Sequence, residues 1–259
     1  MFSKADAYER FMGRWSRLLA PELIRFAEVH DGDAVLDVGC GTGALSSALR
    51  DALPTGSITG VEPSQEFASE AAQRIRDPRV HFEVGDAQKL PFPGAAFDKT
   101  LSALVMNFIP QPMRALEEMI RVTKPGGVLA AAVWDYRDGM TMLRLFWDEV
   151  TSLDPEDAPR DEARMPLCTE GELSQLWRAA GLERVREASL DVALHFASFD
   201  DYWAPFLLGQ GPAGACAAGL TPERQRALAQ RLRRRLLGDE PDRPIDMRAR
   251  AWAVSGVVR

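Results

Sequence analysis

The sequence predicts an α/β fold: a mostly parallel sheet of seven strands with helices on it. Three observations predict it. Short apolar runs alternate with helix-length segments from about residue 34 to residue 134. Such alternation implies right-handed crossovers and parallel strands. A turn with glycines at alternate positions, Gly39, Gly41 and Gly43, leads out of the first apolar run. The chain also shows no internal repeat and no low-complexity stretch.

The elements follow in order. Residues 5–29 read as helix, with Tyr8, Phe11, Met12, Trp15, Leu18, Leu19, Leu23 and Phe26 at helical spacing and Pro21 as a break. Ala34–Val38 is the first strand and Thr42–Ala52 its helix. Ser57–Val61 and Gln65–Arg76 form the second pair, and Val80–Val84 the third strand. Phe97–Val105 is the fourth strand, Met113–Val122 its helix, and Val128–Trp134 the fifth strand. The rhythm then breaks. A helix-rich insertion covers about 138–168, with Asp and Pro crowded at Asp154–Asp157. Residues 170–180 read as helix, Glu183–Phe196 as an edge strand, 199–240 as a second helical insertion and Ala249–Val258 as the last strand. The expected division is an N-terminal helical cap (1–30), a ligand-binding core (31–136), and a remainder (137–259) that completes the sheet and carries both insertions as lids.

Composition narrows the class. The chain has 259 residues, 46% hydrophobic and 27% charged, as ordinary globular domains have. No apolar run reaches the roughly 18 residues of a membrane span. The N-terminus carries Asp6 early and has no apolar stretch, so it does not read as a signal peptide. Cys40, Cys168 and Cys216 are scattered, without disulfide or zinc spacing, and no metal site is expected. These features point to the cytoplasm. A net charge of −7 argues against nucleic acid as a partner. Oligomeric state leaves no signal.

The glycine turn carries the chemistry. Glycine lets backbone approach a ligand, and the helix that follows opens with N–H groups aimed at the same space. Asp37 stands two residues ahead of Gly39. Dinucleotide sites use G-x-G-x-x-G and bind an anionic pyrophosphate there, which a carboxylate would repel. Here the spacing is G-x-G-x-G beside an acid. S-adenosylmethionine suits it: an ammonium, a sulfonium, a carboxylate for backbone N–H groups, and an adenosine. The string Val35 to Gly43 resembles the glycine motif of class I S-adenosylmethionine-dependent methyltransferases.

Ligands of open α/β sheets sit beyond the carboxyl ends of the strands. Glu62 ends the second strand about 20 residues past the glycines, where an acid takes ribose hydroxyls, with Pro63 beside it. Strand three ends in Gly85-Asp86-Ala87; Asp86 can accept from the adenine amino group while Ala87 offers its N–H, or Asp86 simply forms an Asx turn. The run Gly85 to Asp98, with Lys124-Pro125-Gly126-Gly127, resembles the type 11 methyltransferase domain. The resemblance spans about residues 33–135 and implies a Rossmann-like class I methyltransferase sheet. It also implies an adenine-reading Asp86 and a structural Lys-Pro-Gly-Gly turn. Outside that span, Met12 to Arg17 resembles a helix that folds over the cofactor in bacterial relatives, which implies that Arg14 meets the methionine carboxylate. Val105 counts with the cofactor residues.

The acceptor is less legible. Strand four delivers Asn107, where some amino-group methyltransferases keep an Asn-Pro-Pro-Tyr element, but the rest of that element is absent. Strand five delivers Trp134, Asp135 and Tyr136; the insertions add Trp147, Tyr202, Trp203 and Phe206. Asn107, Trp134, Tyr136 and Trp203 are the candidate substrate residues, in an expected closed aromatic cavity. Asp135, Tyr136 and His195 are weak candidates for a base, so no catalytic residue is assigned. The resulting expectation is methyl transfer to a small-molecule acceptor by in-line displacement. An RNA methyltransferase would use the arginines at 231 and 233–235 as a basic patch. A non-catalytic S-adenosylmethionine-binding protein would keep the turn and Glu62 yet block the acceptor. An NAD-dependent oxidoreductase is disfavoured by Asp37.

Overall fold

The computed structural model describes residues 4–154 and 160–259. Part of the Asp- and Pro-rich stretch, at 155–159, lies outside the described residues, as do residues 1–3. The chain forms two compact units. The sheet unit gathers 15–133, 166–190 and 251–259, and the helical unit gathers the described residues of 4–14, 134–154, 160–165 and 191–250.

Seven strands make one sheet: β1 (Ala34–Val38), β2 (Ser57–Glu62), β3 (Val80–Val84), β4 (Phe97–Ala103), β5 (Thr123–Trp134), β6 (Glu183–Phe196) and β7 (Ile245–Val257). Their order is β3-β2-β1-β4-β5-β7-β6. The pairs β1–β2, β1–β4, β2–β3 and β4–β5 are parallel. The chain runs outward from β1 to β3 and returns to β4, so the strand order reverses at the β1/β4 boundary. That crevice is where such sheets bind ligands. β7 breaks the parallel pattern. Gly126 N–H donates to Val258 O at 2.9 Å at one end of β5, and Asp135 N–H donates to Arg250 O at 2.9 Å at the other, an antiparallel pairing.

The helices are α1 (Lys4–Tyr8), α2 (Arg14–Phe26), α3 (Ala44–Ala52), α4 (Gln65–Arg74), α5 (Pro112–Val122), α6 (Thr141–Leu153), α7 (Glu172–Ala179), α8 (Phe199–Trp203), α9 (Gly211–Gly219) and α10 (Pro222–Leu237). In the sheet unit, Leu45 and Leu49 of α3 and Leu116 and Met119 of α5 are buried, as are Val35, Leu36 and Leu101 of the strands. These residues repeat at i, i+3 or i+4 on the helices, which is why one face of each packs on the sheet.

Several boundaries differ from the sequence expectation; β7, for one, begins at Ile245 and not at Ala249. Helix α2 runs through Pro21 without a break; the irregularity lies earlier, where Glu9–Gly13 widens into a π turn. Strand β4 stops at Ala103 because Leu104 adopts a left-handed φ of 65°, turning the chain. Strand β5 begins at Thr123, not Val128. Phe97 pairs with Thr123 and Lys99 with Val128, so Lys124 to Gly127 bulges out of an otherwise continuous strand. The bulge demands glycine: a Cβ on Gly127 would stand 2.7 Å from Asp98 O.

Candidate active site

The site of the sheet unit grows from the end of β1. Gly39, Gly41 and Gly43 all have positive φ, at 73°, 52° and 90°. Two of them are glycine for lack of room. A Cβ on Gly39 would lie 2.6 Å from the Val105 methyl carbons, and one on Gly43 would lie 2.8 Å from Ile75 Cδ1. Gly41 differs: a Cβ there would meet nothing within 4 Å. The turn therefore presents bare backbone to open space at its middle glycine.

The N–H groups of this turn point inward. Gly39 and Cys40 donate to Val61 O at 2.8 and 3.1 Å, and Gly43 donates to Cys40 O at 2.8 Å. Gly41 donates to Glu62 Oε2 at 3.1 Å. These four amides hold the turn in shape, which corrects the expectation that they serve a ligand carboxylate. The physical reason is that a tight turn next to a parallel strand must satisfy its own backbone first.

Two acids flank the turn. Asp37 is 1% exposed and accepts from the Ser46 hydroxyl at 2.7 Å, across the first turn of α3. Burial pushes its carboxyl up to about 7, with the Ser46 hydrogen bond opposing. Glu62 is 8% exposed; besides Gly41 it takes the Ser64 N–H on Oε1 at 3.0 Å. Burial raises its pKa too, against those two hydrogen bonds. Burial likewise pushes the Cys40 thiol up, away from the reactive thiolate form. Among the described residues neither acid forms an ion pair: desolvation dominates both, and no cation offsets it. Two buried acids side by side, with no cation among the described residues, favour a cationic ligand.

The neighbouring strand ends complete the arrangement. Gly85 N–H donates to Glu62 O at 3.2 Å, which brings the β3 end beside Glu62. Asp86 is exposed and Ala87 half-buried; Pro63 is exposed beside Glu62. Val105 covers Gly39, and Asn107 is buried in the single helical turn Met106–Phe108 that follows. Asp37, Gly39, Gly41, Glu62, Pro63, Asp86, Ala87 and Val105 thus all stand at the carboxyl ends of β1 to β4.

The family model described as a methyltransferase domain matches residues 36–131. Over that stretch the chain is similar to methyltransferases. An uncharacterized methyltransferase of Schizosaccharomyces pombe is 38% identical over 104 residues, 37% of this chain and 37% of that protein. A demethylmenaquinone methyltransferase of Listeria welshimeri is 34% identical over 113 residues, 42% of this chain and 48% of that protein. The chain thus spans half or less of the length of these curated relatives. The structure of phosphoethanolamine N-methyltransferase 2 from Haemonchus contortus superposes with a TM-score of 0.60 at 18% identity, covering 98% of this chain and 56% of that one. At that identity the likeness is one of fold.

The matched stretch accounts for part of what the sequence singled out. Ser46 was not anticipated; the signal lay in a hydroxyl nine residues past Asp37, on the first helical turn facing it. The remaining candidates belong to the helical unit. Arg14 donates through Nη1 to both Asp201 carboxylate oxygens at 2.9 and 3.0 Å and through Nη2 to Asp201 O at 3.2 Å, with its guanidinium 4.7 Å from the Phe196 ring centroid. Trp134, Tyr136 and Trp203 are buried.

The aromatic residues of the insertions correct the cavity expectation. Trp147, Tyr202 and Phe206 are 0% exposed. Phe206 stacks on Phe146 at 4.7 Å and on Trp203 at 6.0 Å, and meets Phe11 at 5.1 Å and Tyr202 at 5.4 Å. Tyr202 donates its hydroxyl to Met142 O at 3.0 Å, and Trp147 donates its indole N–H to Glu162. Rings packed this closely on one another form a core and not a cavity wall, although the buried Trp134 indole N–H has no hydrogen-bond partner among the described residues. Two base candidates are also accounted for. Asp135 is paired with Arg250 and accepts from Asp138 N–H at 2.9 Å. His195 is exposed and paired with Asp246 at 2.7 Å.

Proposed function

We propose that the protein transfers a methyl group from S-adenosylmethionine to a small-molecule acceptor. One observation carries this reading: Asp37 and Glu62 are buried beside a glycine turn that is open at Gly41, with no cation among the described residues to balance them. The residues fit the cofactor. Glu62 keeps acceptor capacity for ribose hydroxyls after taking two backbone N–H groups. In this reading Asp86 and the Ala87 N–H read the adenine edge. Buried Asp37 favours a ligand with positive charge.

When bound, S-adenosylmethionine supplies a methyl group on a good leaving sulfur. The protein's own share is to hold the nucleophile in line and exclude water. A base is needed only if the nucleophile must lose a proton. That agrees with Asp135 and His195 being engaged elsewhere. The acceptor reading is a small, largely apolar molecule. The Listeria relative, named for demethylmenaquinone, supports it, though its match covers the cofactor half.

The RNA reading has less support. Arg231 pairs with Glu149 at 2.6 Å, Arg235 with Asp148 at 2.8 Å, and Arg233 donates to the carbonyl of Glu240 at 2.7 Å. These arginines are engaged by their own protein. The test is a labelled methyl-transfer assay against a metabolite extract and total RNA in parallel. Label in a small molecule is the expected result. Label in RNA alone would overturn the acceptor class, and cofactor binding with no transfer to either would favour a non-catalytic binding protein.

A further inference from the structure

The turn after β3 contains a side chain with no assigned role. Gln88 is half-buried and touches both the candidate adenine acid and the start of α5. Its backbone N–H donates to Asp86 Oδ1 at 2.8 Å. Its side-chain Nε2 donates to Asp86 Oδ1 at 3.2 Å and to Oδ2 at 3.3 Å. Its Oε1 accepts from Gln111 N–H at 3.1 Å. Its backbone oxygen accepts from Arg114 Nε, also at 3.1 Å. The amide has one orientation that satisfies both sides, nitrogen toward the carboxylate and oxygen toward the amide donor.

Gln111 caps α5 without a capping bond from its own side chain. Gln88 therefore supplies the acceptor for an N–H just ahead of the helix. The same amide fixes the rotation of the Asp86 carboxylate, which is otherwise exposed and free to turn toward water. A carboxylate offers about four acceptor directions. Gln88 donates to both oxygens, through its backbone and side chain to Oδ1 and through its side chain to Oδ2, and the carboxylate keeps capacity for a further donor.

We infer that Gln88 is a positioning residue for adenine selection: it holds Asp86 with its side-chain nitrogen and anchors the start of α5 with its side-chain oxygen. This rests on the reading of Asp86 as the adenine acceptor. Without Gln88 the carboxylate turns away, and discrimination between an amino group and a carbonyl on the purine weakens.

The test compares binding of S-adenosylhomocysteine with S-inosylhomocysteine by calorimetry for wild type, Gln88→Ala, Gln88→Glu and Asp86→Ala. Gln88→Glu keeps the side-chain length and the acceptor for Gln111 but turns an oxygen on Asp86. We expect both Gln88 variants to lower the adenosyl-to-inosyl preference by about threefold or more, with no further loss when combined with Asp86→Ala. Amide exchange at Gln111 should quicken in Gln88→Ala and hold in Gln88→Glu. A wild-type preference in both Gln88 variants, alongside a lost preference in Asp86→Ala, would overturn the inference and leave the site reading intact. Wild-type preference in Asp86→Ala as well would overturn the role of Asp86, and with it this inference. Wild-type protein that bound neither ligand would overturn the cofactor reading itself.

Discussion

Ser46 Oγ donates to Asp37 Oδ2 at 2.7 Å, and this bond ties the first turn of α3 to the penultimate residue of β1. It also moderates a buried acid. Burial pushes Asp37 up to about 7 from an ordinary value of 3.8, the nearby Glu62 carboxylate adds to the rise, and the Ser46 hydroxyl opposes both. Below about pH 7 the folded protein alone thus favours the protonated acid. Asp37's contribution to stability is complete below about pH 3.8 and is lost as pH rises through about 7. A bound cation reverses the preference. Affinity for S-adenosylmethionine should therefore climb as pH rises through about 7 and level off above it. Ser46→Ala, which removes an opposing bond, should move that midpoint upward, and Asp37→Asn should flatten it. Calorimetry from about pH 5.5 to 8.5 decides this; a flat wild-type profile would show that Asp37 does not sense the ligand.

Glu62 has two jobs, and isosteric replacement separates them. Its oxygens take one backbone N–H each, from Gly41 and Ser64. Glu62→Gln must turn an NH2 group toward one of those donors, so it should bind as poorly as Glu62→Ala. Loss of a charge-assisted contact of this kind costs roughly 1.5–3 kcal/mol, about ten- to a hundredfold in affinity. Retained wild-type affinity in either variant would remove Glu62 from the ribose site.

The three glycines of the turn should respond differently to alanine. Gly39→Ala drives a methyl into Val105, so the ligand-free protein should lose stability in a thermal melt. Gly41→Ala meets no protein atom and pays only the left-handed backbone cost of about 1 kcal/mol. It should stay folded yet bind S-adenosylmethionine poorly, because its methyl occupies the open space. Equal melting losses and equal binding in the two variants would refute the distinction.

Much of this was legible in the sequence because it is local. Alternating glycines after an apolar run specify a strand-to-turn junction, and strand ends in a parallel sheet share one side, so the sequence alone puts Asp37, Glu62 and Asp86 on that side together. What was not legible depends on partners far apart in the chain. Nothing local says that Arg14 finds Asp201, or that Asp135 finds Arg250. Backbone accounting was also hidden: a glycine turn looks like a row of ligand donors until its amides are seen to serve Val61, Cys40 and Glu62. Aromatic residues carried the least information, since ring chemistry is the same in a core and in a binding cavity.

That last ambiguity yields a stability prediction. If Phe206 belongs to a solid core, as its contacts with Phe11, Phe146, Tyr202 and Trp203 indicate, truncation leaves a void that its neighbours cannot fill. Phe206→Ala should cost roughly 3–5 kcal/mol, and Phe206→Leu less, because leucine retains more of the buried volume. A ring lining an acceptor cavity would behave in the opposite way. Its removal would enlarge a space already present, cost little in denaturant unfolding, and broaden the range of acceptors methylated. Chemical denaturation of both variants reads the first outcome directly, and the acceptor screen reads the second. A loss under about 1 kcal/mol for Phe206→Ala would return this cluster to the acceptor site.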